Sequence, residues 1–90
     1  MKKDWRCFLA LCCKLKTEKE LEALFDLFFT LEEKEALGSR YVVVQALLEG
    51  KLTQREIAEK YQVSISQITR GSNALKITDP KLKRFLEGCI

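Results

Sequence analysis

Thr53-Gln54-Arg55-Glu56 and, a short helix later, Ser64-Ile65-Ser66-Gln67 decide the fold. Both have the S/T-x-x-E/Q form. In it a hydroxyl accepts the backbone N–H three residues on, and the Glu or Gln side chain reaches back to the N-cap N–H. Two such boxes predict two short helices joined by Gln62-Val63-Ser64, the layout of a helix-turn-helix. Ile57, Tyr61, Val63 and Ile68 can form the small core between them, and Ala58 is small where the helices cross. Gln62 is the weak point: a left-handed turn suits glycine, and another residue is forced there at a cost.

Projected at about 100° per residue, the second of these helices puts Ile65, Ile68, Ser72 and Leu75 on one side. Ser66, Gln67, Arg70 and Asn73 fall opposite. No carboxylate occurs between Ser64 and Lys76. Such a face can enter a major groove and hydrogen-bond to bases and phosphates without repulsion. Thr53, Gln54 and Arg55 open the preceding helix, where free backbone N–H groups suit a phosphate oxygen. The alternative is a helical hairpin with a polar outer face.

Outward from this pair the chain continues as helix. Upstream, Thr30-Leu31-Glu32-Glu33 is another capping box. It opens a long helix to about Glu49, ended by Gly50 at the position of a C′ glycine. Tyr41-Val42-Val43-Val44 has β propensity but lacks flanking turns, and it reads as helix. Further upstream, one helical pattern runs from about Asp4 to Lys16 with Trp5, Phe8, Leu9, Cys12 and Leu15. A second, about Glu18 to Phe29, carries Leu21, Leu24, Phe25, Leu27 and Phe28, with Leu31 just beyond. Its apolar residues cover well over half the circumference, so it must be buried on most sides. A chain of 90 residues offers too few layers for that, and a second chain is expected to cover it. Downstream, Asp79-Pro80 places an N-cap before an N1 proline, and Leu82, Phe85 and Leu86 follow.

The reading is therefore all-α: six helices in a single domain over residues 1–90, with dimerisation helices over 1–50, a helix-turn-helix over 53–76 and a last dimer helix over 79–90. Composition agrees. One Pro and four Gly argue against an all-β fold with many tight turns. Charge is uneven. Residues 1–39 hold seven Lys/Arg against eight Asp/Glu, while 40–90 hold nine against five, which points the second half at an anionic partner. The absence of His removes the commonest general base, and no carboxylate pair or Gly-rich phosphate loop replaces it, so no enzyme is expected. No apolar run approaches the ~20 residues of a membrane span, and no secretory h-region follows the N-terminal charges. Cys7, Cys12, Cys13 and Cys89 lack metal-ligand spacing and read as reduced thiols, which implies a cytoplasmic protein without a metal.

Gly38 and Gly71 lie inside helical patterns, where each costs up to ~1 kcal/mol relative to Ala. Each sits near an arginine, Arg40 and Arg70. Arg40 shares a face with Leu37, Val44 and Leu47, so its guanidinium is expected against apolar surface and in need of an anionic or aromatic partner. An intersubunit salt bridge, a phosphate contact or a small-molecule anion site would each serve.

Leu52 to Glu56, the run Ile68-Thr69-Arg70-Gly71-Ser72-Asn73-Ala74-Leu75-Lys76 and Glu35-Ala36-Leu37-Gly38-Ser39-Arg40 together closely resemble the trp operon repressor family. Trp5 with Phe8 and the tail from Asp79 to Leu86 extend the likeness over nearly the whole chain. The resemblance implies an intertwined homodimer that takes L-tryptophan as corepressor, then represses tryptophan biosynthesis or uptake genes by binding double-stranded operator DNA. By position, Arg40 and Arg70 resemble the arginines that flank the indole, with Arg70 also at the carboxylate. Gly71 leaves room for the ring and Val44 lines it. Leu27, Phe29 and Thr30 match the end of the second helix, whose free carbonyls suit an ammonium group. Ala74 stands where relatives often carry a serine, which removes one polar contact to the ligand. Gln54, Arg55, Ile65, Ser66, Gln67, Thr69, Asn73 and Lys76 are the expected DNA-side residues. A ligand-independent helix-turn-helix module and a helical interaction protein are the alternatives.

Overall fold

A computed structural model describes residues 3–89; the expected outer limits at residues 1 and 90 lie outside them. It is all-helical: α1 (Lys3–Lys14), α2 (Glu18–Phe28), α3 (Leu31–Glu49), α4 (Gln54–Tyr61), α5 (Ile65–Lys76) and α6 (Pro80–Gly88). The chain divides into two compact units, Met1–Lys34 and Glu35–Ile90. Among the described residues no helix is long and apolar enough to cross a membrane.

The caps form as their chemistry requires. At α4 the Thr53 hydroxyl accepts the Glu56 N–H at 3.1 Å, while a Glu56 carboxylate oxygen accepts the Thr53 N–H at 2.8 Å. Thr30 and Glu33 make the same exchange at 2.8 and 3.1 Å. Thr17-Glu18-Lys19-Glu20 is a further box of the same form: Thr17 caps α2 and Glu20 returns the bond. The backbone N–H groups of Lys16 and then Thr17 hold the Glu20 carboxyl below the usual carboxylate range. Asp79 caps α6 through the Lys81 N–H, with Pro80 at the first helical position.

In the first unit the contacts are aromatic. Phe8 stacks on Trp5 with ring centroids 5.8 Å apart and meets Phe28 and Phe29 edge-on. Lys34 pairs with Asp26 in an exposed salt bridge, a type that adds little to stability. Yet α2 buries no residue, and Leu27 is 76% exposed. Leu21, Leu24 and Phe25 are half-buried, so the apolar circumference of this helix is only partly covered in the first unit.

In the second unit the core is Val43, Ala46, Ile57 and Ile68, with Leu47, Leu52, Ala58, Tyr61 and Val63 packed around it. The residues expected between α4 and α5 are all in this core or packed on it. What periodicity did not assign is the share of α3: Val43 and Ala46 complete the core, so the helix-turn-helix is packed on α3. Gly71 shows how closely. A Cβ there would stand 3.0 Å from Val43 Cγ1 and 3.6 Å from Leu47 Cδ1. Gly38 has nothing within 4 Å, so its missing side chain answers to no neighbour inside the chain.

Gln62 occupies the left-handed region at φ 55°, ψ 45°, and its Nε2 donates to the Glu59 carbonyl at 2.8 Å. A non-glycine residue in this region costs about 1–2 kcal/mol, and glycine gives back about 0.4–1 kcal/mol through a freer unfolded chain. Gln62→Gly also loses the Glu59 hydrogen bond. The expected result is a small gain, no more than about 1 kcal/mol, read as a higher urea midpoint with unchanged slope. A lower midpoint would give that hydrogen bond the larger share.

Candidate nucleic-acid interface and ligand cavity

The outer face of the helix-turn-helix is assembled by its caps. Ser64 ends the turn with extended backbone. Its hydroxyl accepts the Gln67 N–H at 3.2 Å, and Gln67 Oε1 accepts the Ser64 N–H at 2.9 Å. This starts α5 with Ile65 and Ser66 in its first turn. Gln54, Arg55, Ile65, Ser66, Gln67, Thr69, Asn73 and Lys76 are all exposed. Ile65 is the informative one. Its helical angle sets it on the inner side with Ile68, yet its position at the start of the helix puts it among the expected DNA-side residues. The structure leaves it 52% exposed while Ile68 is fully buried. An exposed aliphatic side chain at the start of a reading helix suits a thymine methyl. Gln67 is less free than expected, because its carbonyl oxygen is held by the cap and only its amide N–H groups remain to donate.

Behind this face lies a cavity of about 150 Å³ lined by Ala36, Ser39, Arg40, Val43, Gln67 and Arg70. The two arginines predicted to share a ligand therefore line one space. The lining holds no carboxylate, so the site favours an anion. Arg40 is exposed, so its guanidinium is not enclosed as its helical face suggested. Of its neighbours on that face, Leu37 is exposed while Val44 and Leu47 are half-buried.

The lining does not include the remaining expected ligand residues. Val44 is half-buried and lines a different cavity with Tyr41, Gln45, Leu48, Leu86 and Cys89; the valine beside the arginines is Val43. The two differ by one position, about 100° around a helix, which decides which side chain faces α5. Gly71 is buried against α3, so its lack of a Cβ serves helix packing in this chain. Leu27, Phe29 and Thr30 belong to the first unit. Leu27 lies in the last turn of α2, where carbonyls have no helical donors. The Phe29 N–H donates to the Phe25 carbonyl. The polar groups of Thr30 are largely engaged: its N–H and hydroxyl oxygen bond Glu33, and its carbonyl accepts the Lys34 N–H. Ala36 and Ser39 were missed as lining residues. Their signal was their helical spacing with Arg40 and Val43.

Among the described residues no group of three or more His, Cys, Asp or Glu side chains could hold a metal ion. The four cysteines are free thiols.

The model of the family described as "Trp repressor protein" matches residues 3–89. A Trp operon repressor homolog of Chlamydia trachomatis serovar L2 is 60% identical over 83 residues, covering 92% of this chain and 88% of the relative. The homolog from Chlamydia caviae is 59% identical, covering 92% and 82%. That of Vibrio vulnificus strain YJ016 is 38% identical over 89 residues, covering 94% and 87%. A match over nearly the full length, joined to a helix-turn-helix seated on an arginine-lined cavity, leads to one conclusion: the chain belongs to the Trp repressor protein family.

Proposed function

We propose that this chain is a transcriptional repressor that acts as a homodimer, takes L-tryptophan as corepressor and then binds double-stranded operator DNA of genes for tryptophan biosynthesis or uptake. The observation that carries the reading is the shared cavity of Arg40 and Arg70 directly behind the exposed face of α5. Arg70 meets the ligand's carboxylate, Arg40 and Arg70 flank its indole, and Ala36, Ser39 and Val43 line the same space. Leu27, Phe29 and Thr30, at the end of α2, are the further residues we assign to the ammonium, with the Leu27 and Phe29 carbonyls preferred because that of Thr30 already accepts the Lys34 N–H. The cavity is smaller than the roughly 300 Å³ at which ligand pockets begin, so it takes part of the amino acid and needs further walls.

Dimerisation rests on exposed apolar surface in both units. Leu27, Phe28 and Leu31 in the first, and Leu37, Tyr41, Leu82 and Phe85 in the second, are all exposed. Patches of this kind mark protein interfaces. Helix-turn-helix dimers, of which the trp repressor is one example, set two reading helices about 34 Å apart, one turn of DNA. A ligand that favours this spacing needs a coupling of only about 1–3 kcal/mol to act as a switch.

Gel shifts of a trp-type operator duplex with and without L-tryptophan test the reading, together with calorimetric titration of the purified chain. The expected result is saturable heat with L-tryptophan and tighter operator binding in its presence. Equal shifts in both lanes would leave a ligand-independent reader. One observation favours that second reading: Ile57, Ile68 and Gly71 already seat α4 and α5 on α3.

A further inference from the structure

We propose that Gln67 is the positioning residue through which an occupant of the Arg40–Arg70 cavity sets the N-terminus of the reading helix; the proposal rests on the amino-acid reading above. Gln67 belongs to two constructions at once. Its side chain closes the cap of α5, where Oε1 accepts the Ser64 N–H at 2.9 Å and stands 3.3 Å from the Ser64 hydroxyl, which donates to it. It also lines the cavity that Arg40 and Arg70 share. Ser64 Oγ in turn lies 3.1 Å from Ser66 Oγ, so the cap reaches a side chain of the expected DNA face.

An amide group offers one acceptor atom and one donor atom. With Oε1 committed to Ser64, what Gln67 has left for the cavity is Nε2, which only donates. A carboxylate can take that hydrogen bond, and an ammonium group cannot. The donor therefore adds to the preference that Arg40 and Arg70 set for an anionic end. Holding Nε2 fixes the plane of the amide, and with it Oε1. Binding in the cavity thus tightens the Ser64 cap and orders the first turn of α5, with Ile65 and Ser66. DNA bound to that turn favours the same arrangement. Two ligands that bias one element toward the same state are coupled, each raising the affinity of the other.

Two variants of the full chain test this. Gln67→Glu keeps an acceptor for Ser64, since S-x-x-E closes the same box, but it replaces the donor with a carboxylate beside two arginines. Gln67→Met keeps the length and removes both functions. For each, calorimetry gives the L-tryptophan affinity, and gel shifts give the ratio of operator Kd without and with saturating L-tryptophan. Because the ratio is taken within one variant, direct contact of Gln67 with DNA cancels. In Gln67→Glu we expect wild-type helix content, L-tryptophan binding at least about tenfold weaker, and a ratio falling toward one. In Gln67→Met we expect binding weakened by roughly two- to fivefold and the same fall in ratio. Retention of the wild-type ratio in both variants would overturn the role of Gln67 while leaving ligand gating intact. Absence of L-tryptophan binding to the unmutated chain would overturn both proposals together.

Discussion

Ile68→Ala is expected to destabilise the chain by about 2–5 kcal/mol, the range for a buried isoleucine or leucine cut to its Cβ. Ile68 is fully buried, and among the described residues its fully buried companions are Val43 and Ile57. The cavity left behind lies at the joint between α5 and the rest of its unit, where few neighbours can collapse into it. Since whole domains are stable by about 5–15 kcal/mol, the loss removes a large share of the total. Urea unfolding at fixed protein concentration checks it through a lower midpoint with unchanged slope. Ile65→Ala, three residues earlier on the same helix, is the control. Ile65 is half exposed, so its truncation should cost under about 0.5 kcal/mol of stability and act on operator affinity instead. Equal destabilisation by both would refute the assignment of inner and outer faces.

Gly71→Val should rank next, at about 2–3 kcal/mol, and it should also abolish ligand-dependent operator binding. A Cβ at Gly71 already meets Val43 Cγ1 at 3.0 Å and Leu47 Cδ1 at 3.6 Å, and valine adds two further methyl groups to that Cβ. Helix α5 must then move off α3. Arg70 moves with it, away from Arg40, and the shared cavity is lost. Gly71→Ala is a finer comparison. Alanine brings up to ~1 kcal/mol of helix propensity, offset by a contact that needs Val43 to yield by a few tenths of an ångström. Its net effect should lie within about 1 kcal/mol of zero. A large loss for alanine would mean that Val43, itself fully buried, cannot shift.

Much of this was legible in the residues. The boxes at Thr30, Thr53 and Ser64 fix helix starts because a hydroxyl and a carboxamide or carboxylate three residues apart satisfy each other's neighbouring N–H locally. The core of Ile57, Tyr61, Val63 and Ile68 follows from two periodic stretches joined by a tight turn. The left-handed turn at Gln62 was visible as a misfit because its energetic cost is set by the residue's own Cβ.

Other features depend on what lies opposite. Val43 and Val44 are adjacent, alike in chemistry and both in a helix, and only the docking of α5 sends one to the arginine cavity and the other to the cavity near α6. Gly71 reads in the sequence as room for a ligand, and in the fold it is the contact with α3. Gln67 was assigned to the outer face by its angle alone. Its long side chain reaches the cavity and its oxygen is taken by the cap. The sequence by itself determined where the helices begin, how the chain turns between α4 and α5, and that one face of α5 is free of carboxylates, because those properties act within a few residues. Tertiary structure alone decided which groups line the cavity, because that depends on how two helices rotate against each other, and local spacing does not encode the rotation.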